Sequence, residues 1–90
     1  MNQKQITLYF RPFCGFCAAA DRLLTQKGYQ FDKIDIWANP DAKNEMIAKA
    51  GGRTTVPQIF ADDTYVGDCS RIHELDAAGK LDAYLTALST

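Results

Sequence analysis

An excess of charge of either sign is missing from this sequence. Its 90 residues carry 10 Lys and Arg against 11 Asp and Glu, a net charge of −1. The basic residues are scattered, so the chain has no electrostatic footprint for a phosphate backbone or an anionic membrane, and nucleic acid is excluded as a first assignment. Also missing is an apolar run of the roughly 20 residues that cross a bilayer. The N-terminus, Met1-Asn2-Gln3-Lys4-Gln5, is polar and lacks the tripartite pattern of a secretory signal, so the cytoplasm is the expected location. Linkers, internal repeats and low-complexity segments are absent too, and 90 residues suffice for one core and not two: residues 1–90 form a single domain.

Cysteine is scarce: Cys14, Cys17 and Cys69. An odd count with one close pair is not a disulfide framework, and a bridge across two residues closes too little chain to staple a fold. Zinc needs four ligands as a rule; only Cys69 and His73 could complete a set, at a spacing that matches no common zinc module. The remaining readings of Cys14-Gly15-Phe16-Cys17 are a pair of inert small residues or a reactive dithiol, and a reducing compartment favours the dithiol.

Ile6 to Phe10 is β-prone at every position, as in a strand covered on both faces. Arg11-Pro12-Phe13 breaks it. A helix fits from about Gly15 to Lys27, with Cys17, Ala20, Leu23 and Leu24 at helical spacing, and Gly28 ends it. Phe31 to Ile36 is a second strand. Asn39-Pro40-Asp41 starts a second helix with Ala42, Met46, Ile47 and Ala50 as its apolar stripe, stopped at Gly51-Gly52. Pro57 precedes the strand 58–61, Asp62-Asp63 turns the chain, and 64–66 returns as its partner up to Gly67. A third helix spans about Ser70 to Ala78, with Ser70 as its cap. A fourth carries Leu81, Tyr84, Leu85 and Leu88 on one side. Trp37 and the four tyrosines read as packing residues.

The order β-α-β-α-β-β-α-α predicts an α/β fold. A right-handed β-α-β crossover joins parallel strands, and a hairpin adds two antiparallel ones. The result is a mixed four-stranded sheet flanked by helices, and a Cys-x-x-Cys closing its first strand is the thioredoxin-like pattern. Cys14 then stands at a helix N-terminus, where unpaired N–H groups and the dipole stabilise a thiolate. Arg11 adds positive charge. Cys14 is therefore the expected nucleophile, with a pKa below the free-thiol value of about 8.5. Cys17, one turn further in, is the expected resolving thiol.

Nearly the whole chain resembles the glutaredoxin family. The matching segments are Tyr9-Phe10-Arg11-Pro12-Phe13-Cys14-Gly15-Phe16-Cys17, Arg53-Thr54-Thr55-Val56-Pro57-Gln58-Ile59-Phe60, Gly67-Asp68-Cys69-Ser70 and Leu75-Asp76-Ala77-Ala78-Gly79-Lys80-Leu81-Asp82. The resemblance implies a thioredoxin fold, Pro57 in the cis form and glutathione as reductant and co-substrate. Arg11 and Thr55 would take the glycyl carboxylate, and the Val56 backbone the cysteinyl part beside Pro57 and Phe16. The helix start at Asp68, Cys69 and Ser70 would take the γ-glutamyl end. The implied substrates are disulfide-bearing or glutathionylated proteins, a ribonucleotide reductase among them, acted on by a monomer with no metal.

The sequence departs from the family pattern in three places. Gly15-Phe16 replaces Pro-Tyr, Asp68 replaces a second glycine, and Arg71 replaces an aspartate that pairs with the γ-glutamyl amino group. Gly15-Phe16 also resembles monothiol relatives that hold an iron–sulfur cluster between two subunits, an alternative function in which Cys14 would be the ligand beside glutathione. Against it, the chain keeps Cys17 and lacks that class's loop insertion and Trp-Pro signature. Cys69 reads as a buried small residue or a minor redox site, and His73 as a helix-surface or satisfied core histidine.

Overall fold

The computed structural model of the chain describes residues 2–87. In chain order its elements are β1 (Asn2–Gln3), β2 (Ile6–Phe10), α1 (Gly15–Gln26), β3 (Asp32–Asp35), α2 (Pro40–Lys49), β4 (Gln58–Ala61), β5 (Thr64–Gly67), α3 (Cys69–Ala77), α4 (Leu81–Leu85) and β6 (Thr86–Ala87). The four long strands form one mixed sheet in the order β3-β2-β4-β5, with β2 and β3 parallel and the other pairings antiparallel.

Strand alternation divides the core in two. Ile6 and Leu8 of β2, with Ile59 and Ala61 of β4, face Ala20 and Leu24 of α1, Ile72 and Leu75 of α3, and Leu81 and Leu85 of α4. Tyr9, Ile36 and Phe60 face the other way, onto Met46 of α2 and its C-cap residue Ala50, with Ala42 and Ile47 half-buried beside them. Tyr9 and Tyr65 both meet the Phe60 ring edge-on, with centroids 5.5 and 5.7 Å away. The sheet is thus covered on both faces, which is why β2 has no polar side.

The register sets the site. Phe10 pairs with Asp35, Tyr9 with Gln58, and Ile59 with Gly67. Because β4 runs against β2 and β5 against β4, three segments converge at one end of the sheet: the exit of β2 toward Cys14, the entry of β4 after Pro57, and the exit of β5 toward Asp68. The exit of β3 toward Trp37 joins them, since β3 is parallel to β2.

Four expectations are corrected. The second strand is shorter than 31–36: it ends at Asp35, whose carbonyl accepts the Asn39 N–H (3.0 Å) and whose carboxylate accepts that of Trp37 (2.8 Å), which turns the chain from Ile36 onward. Asn39 does flank α2, but its side-chain amide donates to the Asp35 carbonyl (3.2 Å) instead of capping the helix. The fourth helix ends at Leu85. Thr86–Ala87 pairs with Asn2–Gln3 in a two-stranded ribbon, and the Lys4 N–H adds a bond to the Leu85 carbonyl (2.9 Å). Leu88 lies outside the described residues. The third helix starts at Cys69, with Asp68 and not Ser70 as its cap.

Candidate active site

Cys14 is the N-cap of α1, in extended conformation (φ −115°, ψ 111°), and its Sγ accepts the backbone N–H of Cys17 at 3.2 Å. Sulfur here does what the oxygen of a capping Ser or Asp does elsewhere: it satisfies an amide that has no intrahelical partner. Partial burial opposes ionisation of Cys14. The side-chain bond to Cys17, the Cys17 amide, the Arg11 charge and the Phe16 amide together outweigh it, so Cys14 titrates below an ordinary thiol. No acidic residue stands in the first turn of α1 to compete.

Cys17 is buried, 4% exposed, on the core face of the helix. Burial, then the hydrogen bond with the Cys14 side chain, push its thiol up to about 11. The two sulfurs therefore differ in kind: one half-exposed and readily ionised, one buried and protonated. All three cysteines are free.

The Val56–Pro57 peptide bond is cis. A groove of about 180 Å³ opens there. Phe16, Thr55, Val56 and Pro57 form one part of its wall, and Asp68, Cys69 and Ser70 the other. Seven of the eight residues expected to bind a tripeptide thiol are thus brought together. The eighth, Arg11, lines an adjoining cavity of about 370 Å³ with Trp37 and Lys43, which shares Thr55 and Val56 with the groove. The Arg11 Nη1 group donates to the carbonyls of Pro12 (3.1 Å) and Phe13 (3.3 Å).

The far wall is built by a glycine and a cap. Asp68 Oδ1 accepts the Arg71 N–H at 2.9 Å and so starts α3. The Asp in place of a second glycine thereby supplies the helix cap. A Cβ on Gly67 would lie 2.4 Å from Cγ and 2.5 Å from Cβ of Arg71, so only glycine fits before it. Arg71 lies across Gly67 and reaches Glu74 at 3.6 Å; it is not part of the groove wall. Cys69 is buried, and its thiol is raised by burial first, then by the charges of Asp68 and Cys14. His73 Nδ1 donates to the Cys69 carbonyl (2.8 Å), so the histidine is satisfied within its helix. Among the described residues no cluster of three or more His, Cys, Asp or Glu side chains is gathered for a metal, and no helix is long and apolar enough to cross a membrane.

Two contributors escaped the sequence. Gln58, 1% exposed, points its amide Nε2 at the carbonyls of Arg53 (3.1 Å) and Thr55 (2.8 Å) and so braces the loop that carries Thr55 and Val56. A glutamine inside an apolar β-strand, next to a proline, is the signal that could have found it. Trp37 is not a packing residue: it is 57% exposed, with the Arg11 guanidinium 5.5 Å from its ring centroid. Tyr84, 41% exposed, also departs from the packing role.

A dithiol capping a helix at the exit of a central strand, in a four-stranded mixed sheet with a cis-proline loop beside it, defines the thioredoxin-fold thiol redox proteins. Within that class the relatives are specific. A family model described as glutaredoxin matches residues 6–66. The chain is 43% identical over 82 residues to a glutaredoxin of Pseudomonas aeruginosa, covering 91% of this chain and 96% of that one. It is 42% identical over 80 residues to glutaredoxin 3 of Escherichia coli K12, covering 89% and 95%. The solution structure of a glutaredoxin from Brucella melitensis superposes with a TM-score of 0.80 at 38% identity, covering 99% of this chain and 98% of that one. The chain belongs to the glutaredoxin family.

Proposed function

We propose that the protein is a glutathione-dependent thiol–disulfide oxidoreductase that reduces glutathionyl mixed disulfides and protein disulfides in the cytoplasm. The observation that carries this reading is the 3.2 Å bond from the Cys17 N–H to Cys14 Sγ, which favours a thiolate two residues before Phe16 of the groove wall.

On a glutathionyl substrate the Cys14 thiolate attacks the glutathione sulfur. A Cys14–glutathione disulfide forms, the substrate thiolate leaves, and it takes a proton from solvent. A second glutathione, as thiolate, attacks the glutathionyl sulfur; oxidised glutathione departs and the Cys14 thiolate returns. On a protein disulfide, Cys14 forms the mixed disulfide. Cys17 then loses its proton and displaces the substrate, leaving a Cys14–Cys17 disulfide that two glutathiones reduce. The high pKa of Cys17 keeps it from competing as the first nucleophile. Thr55, Val56 and Pro57 on one wall, with Cys69 and Ser70 on the other, are the proposed contacts for glutathione, Val56 through its backbone.

The test is turnover of a glutathionylated small thiol by Cys14→Ser and Cys17→Ser variants, with glutathione as reductant. Cys14→Ser is expected to be inactive and Cys17→Ser to remain active. Equal loss in both variants, or turnover without glutathione, would overturn the reading.

A further inference from the structure

We infer that Trp37 is a positioning residue for the thiolate chemistry: its indole face holds the Arg11 guanidinium against the carbonyls of Pro12 and Phe13, and so keeps that charge beside Cys14. The inference rests on the reading of Cys14 as a thiolate nucleophile.

The indole has no evident structural task. The turn between β3 and α2 is held by Asp35: its carboxylate accepts the backbone N–H groups of Trp37 (2.8 Å) and Ala38 (3.2 Å), and its carbonyl accepts that of Asn39 (3.0 Å). None of these bonds uses the ring. The ring is left 57% exposed, an arrangement the core does not require. What the ring does meet is Arg11, at 5.5 Å from centroid to guanidinium carbon, within the range in which a cation is attracted to an aromatic face.

An arginine at the surface would otherwise sample many rotamers. Here three contacts restrict it: the Trp37 face and the two carbonyls at 3.1 and 3.3 Å. Those carbonyls belong to the two residues immediately before Cys14, so the guanidinium is tied to the segment that presents the sulfur. The Phe13 backbone sits in the left-handed region (φ 59°), uncommon for an aromatic residue, and its carbonyl is one of the two that Arg11 meets. Lys43 lines the same cavity and is the other cation facing Arg11 there; its charge repels the guanidinium and cannot replace the ring as an anchor. Asp21 and Lys33 line the cavity that Arg11 shares with Cys14, but they pair with each other at 2.6 Å, which leaves the indole face and the two carbonyls to hold Arg11.

The test is the rate of Cys14 alkylation by iodoacetamide across pH, in the full chain, for Trp37→Ala, Trp37→Phe, Arg11→Gln and the Trp37→Ala/Arg11→Gln double variant. Trp37→Ala is expected to lower the rate at pH 6 by about two- to fivefold, the size of one exposed cation–π contact, and to move the profile upward. Trp37→Phe, which keeps a π face, should restore most of the rate. In the Arg11→Gln background Trp37→Ala should add nothing, because the ring acts through the guanidinium. If the alanine variant fails to fold, Trp37→Leu takes its place, with apolar bulk and no π face. A Trp37→Ala profile equal to the parent's, or the same loss with and without Arg11, overturns the inference and leaves the proposed function standing. A parent profile like that of a free thiol overturns both.

Discussion

Cys14 and Cys17 sit one helical turn apart and are shifted in opposite directions: the Cys17 amide donates to the Cys14 sulfur at 3.2 Å. That contact, with the rest of the helix terminus and Arg11, lowers the Cys14 thiol. The neighbouring Cys14 sulfur, added to burial, raises Cys17 to about 11. The same three-residue spacing thus makes one sulfur the attacking group and holds the other in reserve.

The pH dependence of stability follows in sign. The lowered Cys14 contributes stability that is fully present above the unfolded thiol pKa and lost as pH falls through its folded value. The raised Cys17 contributes stability present below the unfolded thiol pKa, and this is lost as pH rises toward about 11. Urea unfolding of the reduced protein should therefore show Cys17→Ala removing a loss of stability at the alkaline end. Cys14→Ser should flatten a rise that lies at lower pH. Identical pH slopes in parent and variants would contradict this.

Asp68→Ala should destabilise the protein by about 0.5–2 kcal/mol, the usual range for losing a helix N-cap. Asp68→Asn keeps an oxygen that can accept the Arg71 N–H and should recover most of that loss. Urea midpoints for the two variants separate the capping role from the charge: if both fall equally, the cap is not what Asp68 supplies.

Gln58→Leu removes the donor shared by the Arg53 and Thr55 carbonyls. The expected loss is about 0.5–1.5 kcal/mol for each hydrogen bond removed, since both carbonyls belong to exposed residues that water can reach. Because that donor braces the wall of the groove, the KM for glutathione should rise more than kcat falls. Steady-state kinetics with an unchanged KM would limit Gln58 to a purely structural part.

Cys69→Ala should leave reduction of a glutathionylated small thiol within about twofold of the parent, since a buried, upward-shifted thiol is a poor nucleophile at neutral pH. A loss approaching that of Cys14→Ser would assign Cys69 a direct part in the reaction.

Gly67→Ala should be more disruptive than its size implies. Its Cβ would meet Cβ and Cγ of Arg71, at 2.5 and 2.4 Å, and overpacking of this kind costs about 1–3 kcal/mol. A thermal midpoint unchanged from the parent would mean that α3 shifts freely to make room.

By itself the sequence determined the order of the elements, the two faces of the sheet and the place of Cys14 at a helix start. Each is written in local terms: apolar residues at spacings of two or of three and four, glycines and prolines at the breaks, and a Cys-x-x-Cys straddling one break. The short ribbon of Asn2–Gln3 with Thr86–Ala87 has no such local mark, because its partners are 83 or more residues apart and polar or small. The cap of α3 was misplaced by two residues, since Asp68 and Ser70 are both good N-caps and only the backbone path after Gly67 decides between them. Tertiary structure alone decided that Gln58 would turn inward to brace the Thr55 loop, and that Trp37 would meet Arg11 instead of the core. Those contacts join segments brought together by strand register, and no spacing along the chain records which side chains will meet there.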